Sequence, residues 1–148
     1  MGLQGYIDRL EQFSVRSGAP VLRNSLMPGV LGRVEERRIV LRAGLSLEQE
    51  LLTLAHELTH LIAHCNVSPR LNRTVCEYEA EAVERWVGAA LGVPPYDDGW
   101  WLESSVTDDL LACSVMRVRW AANTLVSAAR GTFACGTDRL QAQSTVEF

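Results

Sequence analysis

Apolar residues recur every three to four positions in four stretches of the chain, and each stretch predicts an amphipathic helix. The first covers residues 4–17, with Tyr6, Ile7, Leu10 and Phe13 on one stripe. "SGAPVLRNSLMPGV" is rich in turn residues, with a short extended piece around Val21–Leu22. "GRVEERRIVLR" then reads as two short strands, Val30–Val34 and Arg38–Arg42, joined by a polar turn. Ser46, followed by Glu48 and Glu50, marks a helix start that runs to about His64. After a loop carrying Asn66, Pro69 and Asn72, a third helix spans Thr74 to Leu91, closed by Gly92 and the Pro94–Pro95 pair. "YDDGWWLES" is a loop. "SVTD" opens a last helix from about Ser105 to Ala129, closed by Gly131. Its stripe of Leu111, Val115, Val118, Ala122 and Leu125 reads as core. Residues 132–148 show no periodicity and are expected to be a loose tail. The pattern implies one mostly helical α+β domain over residues 1–131, with a small sheet.

Composition changes this reading little. The chain has 148 residues, 47% hydrophobic and 22% charged, enough for a real core and too apolar for disorder. Its net charge of −4 argues against a general nucleic-acid binder, which shows a basic face. All 14 basic residues are Arg, a usage in keeping with a GC-rich genome. The N-terminus has an acidic residue by position 8 and no long apolar core, so a secretory signal is not expected. No apolar run reaches the length of a membrane span. Cys65, Cys76, Cys113 and Cys135 lack CxxC spacing, so reduced thiols in a bacterial cytoplasm are the expectation, with a Cys65–Cys76 link as the lesser alternative.

The second helix carries the candidate chemistry. Projected at roughly 100° per residue, Leu51, Leu54, Ala55, Leu58, Leu61, Ile62 and Cys65 form its apolar stripe. His56, His60 and His64 fall on the other side, each one turn from the next. Imidazoles at i and i+4 project from one face at the separation that one tetrahedral zinc requires. Glu57 is placed to hold a water and take its proton without ligating the metal. The string His56-Glu57-Leu58-Thr59-His60 is thus an HExxH pattern on a helix with a clean core stripe opposite.

A third ligand is available on the next helix. There Glu77, Glu81 and Glu84 read as a solvated acidic face, whereas Glu79 falls beside Val83 and Trp86 on the apolar stripe. A buried carboxylate needs a partner, and the metal is the first candidate, giving a ligand set of His56, His60 and Glu79. The alternative partner is an arginine such as Arg117 or Arg119, with Glu77 as the fallback ligand. His64 is expected to act structurally or to support a ligand rather than to complete the set, and Tyr78 and Tyr96 are candidate donors to an oxyanion.

With these residues in place, "IVLRAGLSLEQELLTLAHELTHLIAH" followed by "CEYEAEAVERWVGAALGVP" resembles the ImmA/IrrE family of zinc-dependent peptidases over about residues 38–95. Its members carry an extended segment, a helix with AHELxH and a following histidine, and a helix that begins E-x-E-A and closes near L-x-x-P. "EAEAV" followed by "YDDGWW" also resembles the metallopeptidase domain of ArdC-type antirestriction proteins, a related zincin group. The resemblance implies a minimal zincin-like α+β domain, mostly helical, with a small sheet beside an HExxH active-site helix of gluzincin-like kind. It implies one Zn2+ per chain on His56 and His60, an acidic third ligand from the E-x-E-A segment, and Glu57 as general base. Family members are commonly encoded by phages and mobile elements and cleave or inactivate a helix-turn-helix repressor. The expected partner is therefore a protein substrate of that kind, acted on by a stand-alone protease domain. The rival readings are a zinc-stabilised module that sequesters a partner without cutting it and an antirestriction protein that binds nucleic acid. The family's usual Asn after E-x-E-A is Glu81 here.

Overall fold

Helix α1 (Leu3–Arg16) buries Ile7, Leu10 and Phe13, the stripe its periodicity predicts. Strand β1 (Val21–Asn24) follows, then β2 (Gly32–Glu35) and β3 (Arg38–Arg42), helix α2 (Leu47–Thr59) with a π turn (His60–His64) at its end, α3 (Arg73–Leu91) and α4 (Asp108–Arg130). The computed structural model describes residues 1–64, 73–94 and 108–132, with 108–113 given by backbone alone. The loops expected around Asn66–Asn72 and Tyr96–Ser104, the tail beyond Thr132 and the cysteines Cys65 and Cys135 lie outside that description, as do the side chains of Leu111 and Cys113. No described helix is long and apolar enough to cross a membrane. The described elements form an α+β arrangement of four helices and one small sheet.

The sheet order is β1-β3-β2, with β1 parallel and β2 antiparallel to β3. Ile39, Val40 and Leu41 are all buried, as befits a central strand covered on both faces. Strand β2 starts at Gly32 rather than at the expected Val30 because a turn intervenes. The Val30 N–H donates to the Met27 carbonyl at 3.0 Å, and Gly29 takes φ +83°, the left-handed conformation that a type II turn needs after Pro28. The β2–β3 hairpin closes on Glu36 and Arg37, both left-handed at φ 43° and 63°.

Helix α2 is the hub, touching α1, α3, β2 and β3. Its start is a capping box: the Ser46 hydroxyl accepts from the Gln49 N–H, and the Gln49 side chain accepts from the Ser46 N–H, both at 3.2 Å. Leu51, Leu52, Leu54, Ala55 and Leu58 face the core together with Val83 and Val87 of α3 and Ala121, Ala122 and Leu125 of α4. Arg23 on β1 pairs with Glu11 of α1 and Glu50 of α2, pinning the polar rim where these elements meet. Gly88 lets α3 come close to α2, since a Cβ there would lie 2.8 Å from Leu52 Cδ2 and 2.7 Å from the Val93 carbonyl oxygen.

Helix α4 buries Val118, Ala122 and Leu125 of its expected stripe, and departs from it at its N-terminal side. Val115 is 55% exposed, while Ser114 and Arg117 turn inward. Both polar side chains reach Glu79 on α3, and satisfying that buried carboxylate sets the phase of the helix. Trp86, expected in the stripe of α3, is likewise pushed out to 42% exposure, with Val75, Glu79 and Gly88 on the inner face.

Candidate metal centre

The i, i+4 spacing of α2 puts His56 and His60 side by side, their ring centroids 5.0 Å apart. Helix α3 packs across them and supplies Glu77, whose carboxylate bridges the pair: Oε2 lies 3.2 Å from His56 Nε2 and Oε1 lies 3.1 Å from His60 Nε2. One ligand atom from each residue lies within 4.8 Å of the others. Two imidazole nitrogens and one carboxylate oxygen form a donor set suited to a divalent transition metal, with a coordination position left over. Glu77 is half exposed, so the set opens to solvent instead of being sealed in the core.

The surrounding charges shift the titration of these candidate ligands. Burial alone would lower the pKa of His56, but Glu77 at Nε2 and Glu84 at Nδ1, 3.0 Å away, overcome it and push the pKa up to about 10. The two histidines in turn hold the Glu77 carboxyl well below the ordinary glutamate range. Glu57, also buried, is moved the opposite way: loss of water raises its pKa, and the nearby His56 and His60 only partly oppose this. Burial and the charge of Glu84 raise Glu81 as well.

The set differs from the one expected from sequence. His56, Glu57 and His60 lie together, but Glu79 does not join them. It is buried on the inner face of α3, as its helix phase required, and there it meets Arg117 of α4 at 2.8 Å. Residues two apart on a helix point roughly 200° away from each other, so Glu77 and Glu79 cannot both face α2. The acidic row Glu77, Glu81 and Glu84 is the face that meets the histidines. Its i, i+4, i+7 spacing puts one acidic stripe opposite His56 and His60, and that is the signal a solvated-face reading passes over. His64 lies behind His60, its side chain 7% exposed, with Nδ1 2.9 Å from His60 Nδ1. Tyr78 does not line the cleft described next, and Tyr96 lies outside the described residues.

An open cleft of about 1010 Å³ runs over the site. Its floor is His56, Glu57 and His60, one wall is α3 with Glu77, Glu84 and Cys76, and the other is Gly29–Val34, which includes the start of β2. Gly32 is what allows β2 this close: a Cβ there would sit 2.7 Å from Thr53 Cγ2 and 3.1 Å from Glu57 Cγ. Among the described residues β2 pairs with β3 on one side only, which makes it an edge of the sheet, and it borders the cleft directly.

Residues 16–95, more than half of the chain, match the family model described as the IrrE N-terminal-like domain, a peptidase family. That span runs from the end of α1 to the end of α3 and holds every residue of the site. No curated protein and no solved structure matches the chain.

Proposed function

The chain belongs to the IrrE N-terminal-like family of peptidases, and we propose that it is a zinc-dependent endopeptidase acting on a protein partner, a helix-turn-helix repressor of a phage or mobile element. The observation that carries this reading is the convergence of His56, His60 and Glu77 beside a buried Glu57, in a cleft walled by an edge strand. Zinc fits the donor set, and when bound there it supplies polarisation of the scissile carbonyl and acidification of water toward a pKa of ~7.

The rest of the chemistry falls to the chain. Glu84 holds His56 by Nδ1, which leaves Nε2 for the metal. Glu57 takes the proton of the attacking water and hands it to the leaving nitrogen as the peptide bond breaks. Its raised pKa makes it a better proton acceptor than an exposed glutamate. The edge of β2, unpaired among the described residues, offers backbone N–H and C=O groups, along which an extended substrate segment adds as a further strand and lays its carbonyl over the histidines. A module that only sequesters its partner has no use for a buried carboxylate beside the metal ligands.

Co-expression with the candidate repressor, followed by mass spectrometry, tests the proposal. Wild type yields two repressor fragments that sum to the intact mass, and Glu57→Gln yields none. Equal fragments from both remove Glu57 as the base, and none from either removes the repressor as the substrate.

A further inference from the structure

Behind the metal centre lies a second row of buried polar groups, Arg117, Glu79 and His64, none of which lines the cleft. Arg117 Nε donates to both Glu79 oxygens at 2.9 Å, and its Nη2 lies 2.8 Å from Oε1. Ser114 Oγ also approaches Oε1, at 3.4 Å. The other oxygen, Oε2, faces His64 Nε2 at 3.6 Å. That nitrogen is buried and has no hydrogen-bond partner among the described residues. The opposite edge of the ring meets His60, Nδ1 to Nδ1, at 2.9 Å, and the far nitrogen of His60 points to Glu77 at 3.1 Å.

We propose that Glu79, acting through His64, is a positioning residue for the metal site: it selects the tautomer and ring orientation of His60 that offer Nε2 to the metal. This rests on the zinc-site reading given above.

The argument is a count of protons. A carboxylate clamped by an arginine only accepts, so the imidazole nitrogen facing it carries the hydrogen. A neutral imidazole has one N–H, so His64, protonated at Nε2, presents a lone pair at Nδ1. Two facing Nδ1 atoms share one proton, and it must then come from His60. His60, protonated at Nδ1, has its lone pair at Nε2, aimed at Glu77 and the cleft. Reversing the chain sets the His64 Nε2 lone pair against a carboxylate oxygen, with both groups out of water. The 3.6 Å gap closes to a hydrogen bond with a shift of roughly 0.5 Å, and the unpartnered nitrogen is the reason for it to close. Ligating histidines are ordinarily oriented by a carboxylate or carbonyl on the second nitrogen, as Glu84 does for His56. For His60 the carboxylate acts one imidazole further away.

His64→Phe tests this without disturbing the Glu79–Arg117 pair, and His64→Gln restores a donor and an acceptor in a similar volume. The readouts are zinc affinity by chelator competition, thermal unfolding of the metal-free protein, and the tautomer of His60 from its ring-nitrogen shifts. His64→Phe should stay folded, bind zinc about 10–100-fold more weakly, and lose the Nδ1–H preference of His60, with His64→Gln recovering most of both. A folded His64→Phe with wild-type zinc affinity and an unchanged His60 tautomer overturns the inference while leaving the zinc site intact. Zinc binding that is equally strong in wild type and His56→Ala, or absent from wild type, overturns the site reading and this inference with it.

Discussion

The Arg117 guanidinium closes on the Glu79 carboxylate between α3 and α4, 2.9 Å from each oxygen through Nε and 2.8 Å from Oε1 through Nη2. Burial by itself would raise the Glu79 pKa, but the His64 imidazole and the Arg117 charge outweigh it, and the net shift is downward. Breaking such a pair leaves one buried charge uncompensated, at about 3–5 kcal/mol. Glu79→Gln should therefore lower the melting temperature strongly, while Glu77→Gln, on the half-exposed face, should barely change it. Zinc retention ranks the two the other way: Glu77→Gln, which removes a proposed ligand, should lose most of the metal, while Glu79→Gln, which only weakens the orientation of His60 through His64, should lose less. Matching melting curves for the two variants would contradict this division.

Glu57 touches none of the proposed ligand contacts, so Glu57→Gln should keep zinc content and fold. Loss of one positioned acid–base group reduces rate by ~10²–10⁴-fold. Single-turnover cleavage of the partner measures this. A drop within a factor of a few would mean that the proton goes elsewhere.

His56, at about 10 in the metal-free protein, is protonated at neutral pH between Glu77 and Glu84. A metal must displace that proton. Because the pKa is raised, the competition is strongest at low pH and fades as pH climbs toward 10. Apparent zinc affinity should accordingly rise by up to about tenfold per pH unit across the neutral range, with roughly one proton released per zinc from this group. Calorimetry in buffers of different ionisation enthalpy gives the proton count directly, and a count of zero would refute the assignment.

Gly88→Ala should loosen the seam between the two site helices. Its Cβ would meet Leu52 and the backbone of Val93, neither of which can swing away freely. Overpacking of this kind costs about 1–3 kcal/mol. Since the same seam holds Glu77 and Glu84 against His56, zinc affinity should fall along with the melting temperature. A variant as stable as wild type would show that α3 can shift without penalty.

The β2–β3 turn invites a change in the other direction. Glu36 and Arg37 both occupy the left-handed region, which costs a side-chain-bearing residue roughly 1–2 kcal/mol. Replacing them by Asn-Gly, the pair that a type I′ hairpin prefers, should stabilise the protein by about 1 kcal/mol. Denaturant midpoints decide it.

Much of this architecture could be read from periodicity. The stripes of α1 and α2 and the Ser46 cap formed as expected, because each is set by residues within a few positions of one another. The partner of Glu79 was harder. Its burial is a property of α3 alone and was legible, but choosing among metal, Arg117 and Arg119 depends on how α4 is rotated, and Ser114 and Arg117 set that rotation only once α3 is in place. Glu77, the candidate third ligand, was obscured for the same reason: an acidic face looks solvated until the helix opposite is known to present histidines to it. The π turn after Thr59 has no signature in hydrophobic spacing at all.

Strand β2 is only four residues long, stopped by the Pro28–Gly29 turn upstream and the Glu36–Arg37 turn downstream. Any chain lying along it can gain a handful of backbone hydrogen bonds, each worth about 1 kcal/mol net. That grip is too weak for a long residence time, and it discriminates little between sequences. So short a template favours turnover over storage: the ends of a substrate cut there, as proposed, would leave quickly, and two copies of the protein have little to gain by zipping together at this edge. On the proposed endopeptidase function, selectivity for a substrate would then have to come from surface away from the strand.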